Sequence, residues 1–489
     1  MAEDQTAIVD ALESGRATGE DRPLRRIDTH MSHVFVGRDR VYKLKRAVRL
    51  PFVDFSTLEL RRRACEAELE VNRALAPRLY IGVAPLVRAA DGGVRFGGDG
   101  ELADWLVVMR PFPPGALFDD MARDGRLTVE QVEDAAEVIA RFHAAAAPVP
   151  DAGLARDYFD IVQGLRRTEA DGAAAHGLPP GPDDLFAGLE RAIEAAAPLI
   201  EARRAAGWVR RGHGDLHLRN LCLFEGKATA FDALEFDPAL ATADVLYDLA
   251  FLLMDLRHRG LGRAANVAMN RYWDVSGALE PALALLPLFM ALRAAVRMAV
   301  AMEAGDPKEA QAYRGLGIQL LTPSPPRLVS IGGLSGSGKS AVARRIAPEL
   351  PGVCGARLLR TDVIRKVGAD PDLPLGAEAY APERRAEVYR QLALRALDAL
   401  AAGCSVIADA TFQDAAARAS LAGEKLWLRA PSAVRVARVT SRTGDASDAD
   451  AAVAAGQAEP GLEPGWTVVD ASGPITGVIE GTRLALGLK

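Results

Sequence analysis

A chain of 489 residues is too long for one hydrophobic core, and at about 100 to 200 residues per domain it should hold two to four folding units. Its 59 basic and 65 acidic residues leave a net charge of −6 with no basic tail, so charge alone gives no basis for tight binding to nucleic acid or anionic lipid. With 49% hydrophobic and 25% charged residues, a disordered, collagenous or coiled-coil chain is excluded.

The acidic stretch Met1 to Arg16 lacks the basic start and apolar run of a signal peptide. Four scattered cysteines, Cys65, Cys222, Cys354 and Cys404, contain no Cys-x-x-Cys pair, which argues against a zinc cage or a disulfide framework. A cytoplasmic location without membrane attachment is the expectation. Val34–Val36 and Val41–Leu44 read as a hairpin turning at Gly37-Arg38-Asp39, followed by a helix over Thr57–Leu75 and a strand over Trp105–Arg110. Alanine- and leucine-rich helices are predicted over Leu127–His143, Leu185–Ala206 and Pro281–Ala304; the last is too short in its apolar run, Pro281–Leu292, for a bilayer span and reads as core. The Ala/Gly/Pro-rich segment Asp171–Pro182 is predicted to be a surface loop.

His213-Gly214-Asp215-Leu216-His217-Leu218-Arg219-Asn220 places an Asp and an Asn five apart in one loop. Asp215 can orient or deprotonate a hydroxyl, and Asn220 can hold Mg²⁺. A second hairpin, Leu221–Phe224 with Ala228–Phe231, ends at Asp232, a candidate metal ligand. Such a site also needs a strand lysine paired with a helix glutamate. Lys43 and Lys45 project to one side of their strand, Lys43 being preferred; Glu68, on an apolar helix face, is the partner, with Glu66 as fallback. His213 and His217 brace the loop, and Asp244 and Asp248 cap or support the start of a helix over Val245–Leu256. This string resembles the catalytic loop of aminoglycoside phosphotransferases and related kinase-like enzymes. The resemblance implies a protein-kinase-like two-lobe fold over 1–321, with a small lobe at about 25–112 and a helical lobe at about 116–321.

Thr322-Pro323-Ser324-Pro325-Pro326 denies backbone donors and reads as a stiff linker at a domain boundary, leaving 327–489 as a second domain. That domain opens with a strand over Arg327–Ile331, a glycine-rich turn and a helix over Ser340–Leu350. Further strands over Ser405–Ala408, Lys425–Leu428 and Thr467–Val469 alternate with helices such as Arg384–Ala402, which predicts a parallel α/β sheet covered by helices. Gly333-Leu334-Ser335-Gly336-Ser337-Gly338-Lys339-Ser340 has the spacing of a phosphate loop: main-chain amides at Gly333, Ser335, Gly336, Ser337 and Gly338 wrap phosphate, Lys339 neutralises it and Ser340 ligates Mg²⁺. Asp362 and Arg365 sit three apart, the acid to accept a hydroxyl proton and the base to bind phosphate. Asp409 ends an apolar strand, where ligands of open sheets gather, and supports the metal or the acceptor. Arg438 and Arg442 share a helix face, Arg442 being the first choice for a lid arginine.

In order, these features resemble the P-loop small-molecule and polynucleotide kinases, including gluconate kinase and zeta-toxin-like proteins. The full arrangement is similar to proteins described as bifunctional aminoglycoside phosphotransferase and ATP-binding proteins. Two ATP·Mg²⁺ sites follow, each transferring γ-phosphate to a hydroxyl of a small molecule or, at the P-loop, of a nucleic-acid end. One alternative has one domain catalysing and the other sensing nucleotide; another is a 5′-hydroxyl polynucleotide kinase.

Overall fold

The computed structural model describes residues 4–50, 53–179, 181–366, 375–441 and 451–488; Arg442 lies outside them. The chain forms two compact units, Met1–Tyr158 with Ile200–Asp255, and Phe159–Leu199 with Leu256–Lys489.

The first unit is built on a six-stranded antiparallel sheet in the order Arg25–Asp28, Ser32–Val36, Val41–Lys45, Glu101–Met109, Tyr80–Arg88, Val94–Phe96. Alternation along its strands gives it two buried faces. Tyr42, Leu44, Leu106 and Val108 pack with Ile8 and Leu12 of the helix Thr6–Glu13. Val41, Val107 and Met109 face the other way, together with Cys65. That second face belongs to the helix Leu58–Leu75, whose start is capped by Thr57 and whose buried side carries Arg61, Ala64, Cys65, Glu68, Val71, Asn72 and Leu75. Lys43 and Lys45, in phase with Val41, therefore project toward this helix. Three strands of this sheet, Arg25–Asp28, Tyr80–Arg88 and Val94–Phe96, were not anticipated from sequence.

The second unit holds a five-stranded sheet, parallel throughout, in the order Arg357–Arg360, Val406–Asp409, Leu328–Gly332, Glu424–Arg429, Trp466–Asp470. Its central strand is buried along its whole length, as a sheet covered on both faces requires. The terminal strand Arg357–Arg360 is covered by the helix Gly262–Ser276. Asn270 accepts from the Leu358 N–H at 2.7 Å and donates to the Ala356 carbonyl at 3.1 Å; Asn266 donates to the carbonyls of Cys354 and Ala356 at 2.7 and 2.9 Å. The two side chains thus satisfy backbone groups that a sheet edge leaves open. Arg357, 1% exposed, completes the attachment through Asp274 at 2.7 Å and Glu280 at 3.4 Å, and Arg395 also binds Glu280 at 2.6 Å. The helices from Gly262 to Leu321, assigned by sequence to the domain before the proline-rich segment, group by contacts with the P-loop sheet.

The expected loop at Asp171–Pro182 is corrected: the helix Ala155–Ala175 runs through its first five residues. Gly172 does not break it, because the missing side chain makes room for the backbone of Met302 and Glu303, which a Cβ would approach to 3.1–3.2 Å. The apolar segment Glu280–Glu303 is a 3₁₀ turn, Glu280–Leu285, followed by the helix Leu286–Glu303, with 72% of its most apolar window buried inside the protein.

Candidate active sites

In the first unit, Lys43 Nζ lies 2.9 Å from Glu68 Oε1 and 2.5 Å from Asp232 Oδ1, and Glu68 is fully buried. Glu66, the fallback, instead pairs with Arg62 on the exposed helix face. Burial pulls the Lys43 ammonium down, but Asp232 and Glu68 outweigh it and hold the group well above its ordinary range. For Glu68, burial acts upward, while Lys43 and Lys45 bring the carboxyl down to about 2.

Asp215 and Asn220 are joined directly: the Asn220 amide donates to the Asp215 main-chain oxygen and to Oδ2, each at 2.9 Å. His217 Nε2 is 3.3 Å from the same Oδ2, and its ring meets Phe251 edge-on at 5.3 Å. The loop backbone is fastened by Asp248, which accepts from the N–H of His213 at 2.7 Å and of Gly214 at 2.8 Å, and touches His143 Nε2 at 3.0 Å. Gly214 needs its φ of +83°, and a Cβ there would stand 2.6 Å from Leu234. Asp244 Oδ1 accepts from the Leu246 N–H at 2.9 Å at the start of the helix Val245–His258, and the carboxylate also pairs with Arg203 at 2.6 and 2.8 Å.

Asn220 and Asp232 are brought together by the hairpin Leu221–Phe224 and Lys227–Ala230, since the Phe231 N–H donates to the Asn220 carbonyl at 3.0 Å. His213 spans the same gap. Its Nδ1 accepts from the Asp215 N–H at 3.3 Å, which leaves Nε2 protonated to donate to the Phe231 carbonyl at 2.9 Å. Burial holds this imidazole below its ordinary 6.5, consistent with that neutral form. Asp232 adopts φ +62°, a conformation few non-glycine residues take, and is held there by Tyr80 Oη, which accepts its N–H at 3.2 Å, and by Asn72 Oδ1, which accepts from Ala233 at 2.9 Å. Sequence reading missed Asn72, Tyr80 and Glu235. Glu235, bonded to Lys45, was discoverable from the second lysine in phase with Lys43.

In the second unit the phosphate loop joins the strand Leu328–Gly332 to the helix Lys339–Ile346. Gly336, at φ +81°, lets the Arg435 carbonyl approach to where a Cβ would be 2.4 Å away. Arg435 also donates to the carbonyls of Ser335 at 3.4 Å and Ala454 at 2.6 Å, so the arginine braces the loop. A cavity of about 530 Å³ is lined by Ser335, Gly336, Gly338, Lys339 and Ser340 at one end and by Asp362, Arg365 and Tyr389 at the other, with Asp409 and Arg438 also in its wall. Gly333 and Ser337 complete the loop outside this lining; the Ser337 hydroxyl is buried.

Within that cavity Ser340 Oγ donates to Asp409 Oδ2 at 2.6 Å, and Arg365 Nη1 pairs with Asp362 Oδ1 at 3.0 Å while its guanidinium lies 4.7 Å over the Tyr380 ring. Lys339 Nζ donates to the Leu334 carbonyl at 3.1 Å. Arg438 donates to the carbonyls of Ala471 and Gly473, each at 2.8 Å, and of Ser337 at 3.5 Å. Sequence reading missed Arg360, 5% exposed, whose Nη2 donates to Ser340 Oγ at 3.1 Å and whose Nε lies 3.3 Å from Asp409. Arg-Leu-Leu-Arg over 357–360 hides a strand, because arginine at both ends masks its apolar run.

A family model described as "Phosphotransferase enzyme family" matches residues 38–286, and one described as "AAA domain" matches residues 328–459. An uncharacterized protein of Mycobacterium tuberculosis and one of Mycobacterium bovis are each 32% identical over 484 residues, covering 91% of this chain and 92% of the relative. Among solved structures, a choline/ethanolamine kinase family protein from Mesorhizobium loti is 14% identical with TM-score 0.39, over 65% of this chain and 99% of its own. The aminoglycoside phosphotransferase APH(4)-Ia is 13% identical with TM-score 0.40, over 65% and 98%.

Proposed function

The chain belongs to the phosphotransferase enzyme family, and from that premise we propose that it carries two ATP-dependent sites, each moving a γ-phosphate to a hydroxyl acceptor, the first to a small molecule. The observation that carries this reading is the convergence of Lys43, Glu68 and Asp232 beside the joined Asp215 and Asn220, in a unit separate from the intact phosphate loop. The module boundary is proposed at 322–326, supported by family matches that end at 286 and resume at 328.

The residues present suit Mg²⁺, a cation that takes oxygen donors. In the first site Asp232 supplies a carboxylate, and Asn220, with its NH₂ committed to Asp215, retains its amide oxygen. In the second, Ser340 and Asp409 supply a hydroxyl and a carboxylate already in contact. When bound, the metal would neutralise charge on the transferring phosphate.

The chain's own groups do the rest. Lys43 and Lys339 contribute positive charge to the nucleotide phosphates. Asp215, fixed through Oδ2 by Asn220 and His217, orients the acceptor hydroxyl and takes its proton. Asp362 does the same in the second site, with Arg365 beside it to bind phosphate and Arg438 in the wall of the cavity. Arg442 remains the proposed lid arginine. Incubation of the chain with γ-³²P-ATP and a metabolite extract tests the reading: Asp215→Asn and Lys339→Ala should each abolish a different labelled product. Label transferred to water alone would refute it.

A further inference from the structure

We infer that Lys45 is a positioning residue of the first site, the standing counter-ion of Glu68 and, through Glu235, the anchor of the loop bearing Asp232, which leaves Lys43 free to engage nucleotide. This rests on reading that site as a nucleotide site. In protein-kinase-type sites one lysine serves both the helix glutamate and the phosphates. Here Lys43 also contacts Asp232 at 2.5 Å, so to meet a phosphate it must loosen its hold on two carboxylates. Glu68 has no exposed surface, and a buried carboxylate stripped of its cation is strongly unfavourable.

Lys45 removes that conflict. Its Nζ lies 2.5 Å from Glu68 Oε2, the oxygen that Lys43 does not use. Lys45 is only 1% exposed, lies over the Phe55 ring at 5.4 Å and bonds Glu235, three residues after Asp232. A surface-charge role is thereby excluded for it. Two ammonium groups, Lys43 and Lys45, face three carboxylates, Glu68, Asp232 and Glu235, which leaves one negative charge over. Asp232 is the exposed member at 42%, so the surplus is presented where a cation can arrive.

The test uses the full chain carrying Lys339→Ala, which silences the P-loop, and calorimetric titration with a non-hydrolysable ATP mimic and Mg²⁺. Glu235→Gln keeps an oxygen acceptor for Lys45 and leaves Lys45 on Glu68, so it should lose less affinity than either variant that lacks Lys45, by at least about threefold. Lys45→Met, and Lys45→Met combined with Glu235→Gln to restore charge balance, should each bind at least roughly tenfold more weakly, because Glu68 then retains Lys43. Thermal unfolding of each variant confirms that it is folded, and the charge-balanced variant carries the test if Lys45→Met alone is not. Equal losses in Glu235→Gln and in the double variant, or no loss in the double variant, would overturn the inference. If the Lys339→Ala background itself binds no mimic, it is the nucleotide reading of the first site that falls.

Discussion

Asn220 holds Asp215 by two hydrogen bonds from one amide group, to the main-chain oxygen and to Oδ2, both 2.9 Å long. Asn220→Ala should therefore lower kcat for the first product by roughly 10² to 10⁴, since a proton acceptor that is free to rotate loses its alignment. Steady-state rates of that product check this, with the P-loop product unchanged as the internal control.

Asp248 is 4% exposed and serves two backbone N–H groups and His143. Asp248→Ala strands all three, and the expected loss of stability is about 3 kcal/mol. Chemical denaturation of the full chain measures it. An Asp248→Ala chain as stable as the parent would show that the loop is held elsewhere.

Acid should weaken the first unit in two stages. The folded state keeps His213 below its ordinary 6.5 and Glu68 at about 2, below its ordinary 4.5, so in each window the unfolded chain binds more protons. Stability is complete above pH 6.5 and falls first as His213 is charged on unfolding. It falls again between pH 4.5 and about 2 as Glu68 is protonated. The difference in urea midpoint between the parent chain and Glu68→Gln should shrink across the second window; a constant difference from pH 7 to 3 would contradict it.

A fragment beginning at Arg327 lacks Asn266, Asn270, Asp274 and Glu280, the residues that hold the strand Arg357–Arg360. Removing the partners of a buried arginine is strongly destabilising, by about 3 to 5 kcal/mol. The fragment should be insoluble or melt far below the full chain, whereas one that joins 159–199 to 256–489 through a short linker should be folded. Expression and thermal melting of the two fragments decide the point.

Motifs whose function depends on local spacing were legible in the sequence. The phosphate loop, the Asp215–Asn220 loop and the Lys43 strand are short segments whose geometry follows from glycine freedom or from strand alternation. Glu68 was distinguishable from Glu66 by helix phase, because an acid among Cys65, Val71 and Leu75 must point inward. Arg360 and the Asn266–Asn270 pair were not legible, since each acts on a partner far away in the chain. The proline-rich segment carried no information about packing: stiffness marks where a linker runs, while the helices from Gly262 to Leu321 group by contacts with the sheet.

The asparagine side chains on the strand Arg357–Arg360 make the P-loop sheet one-sided as a polymerisation surface. No extended segment from another molecule can zip onto that margin without first prising off Asn270. Growth of the sheet by borrowed strands is confined to the margin at Trp466–Asp470.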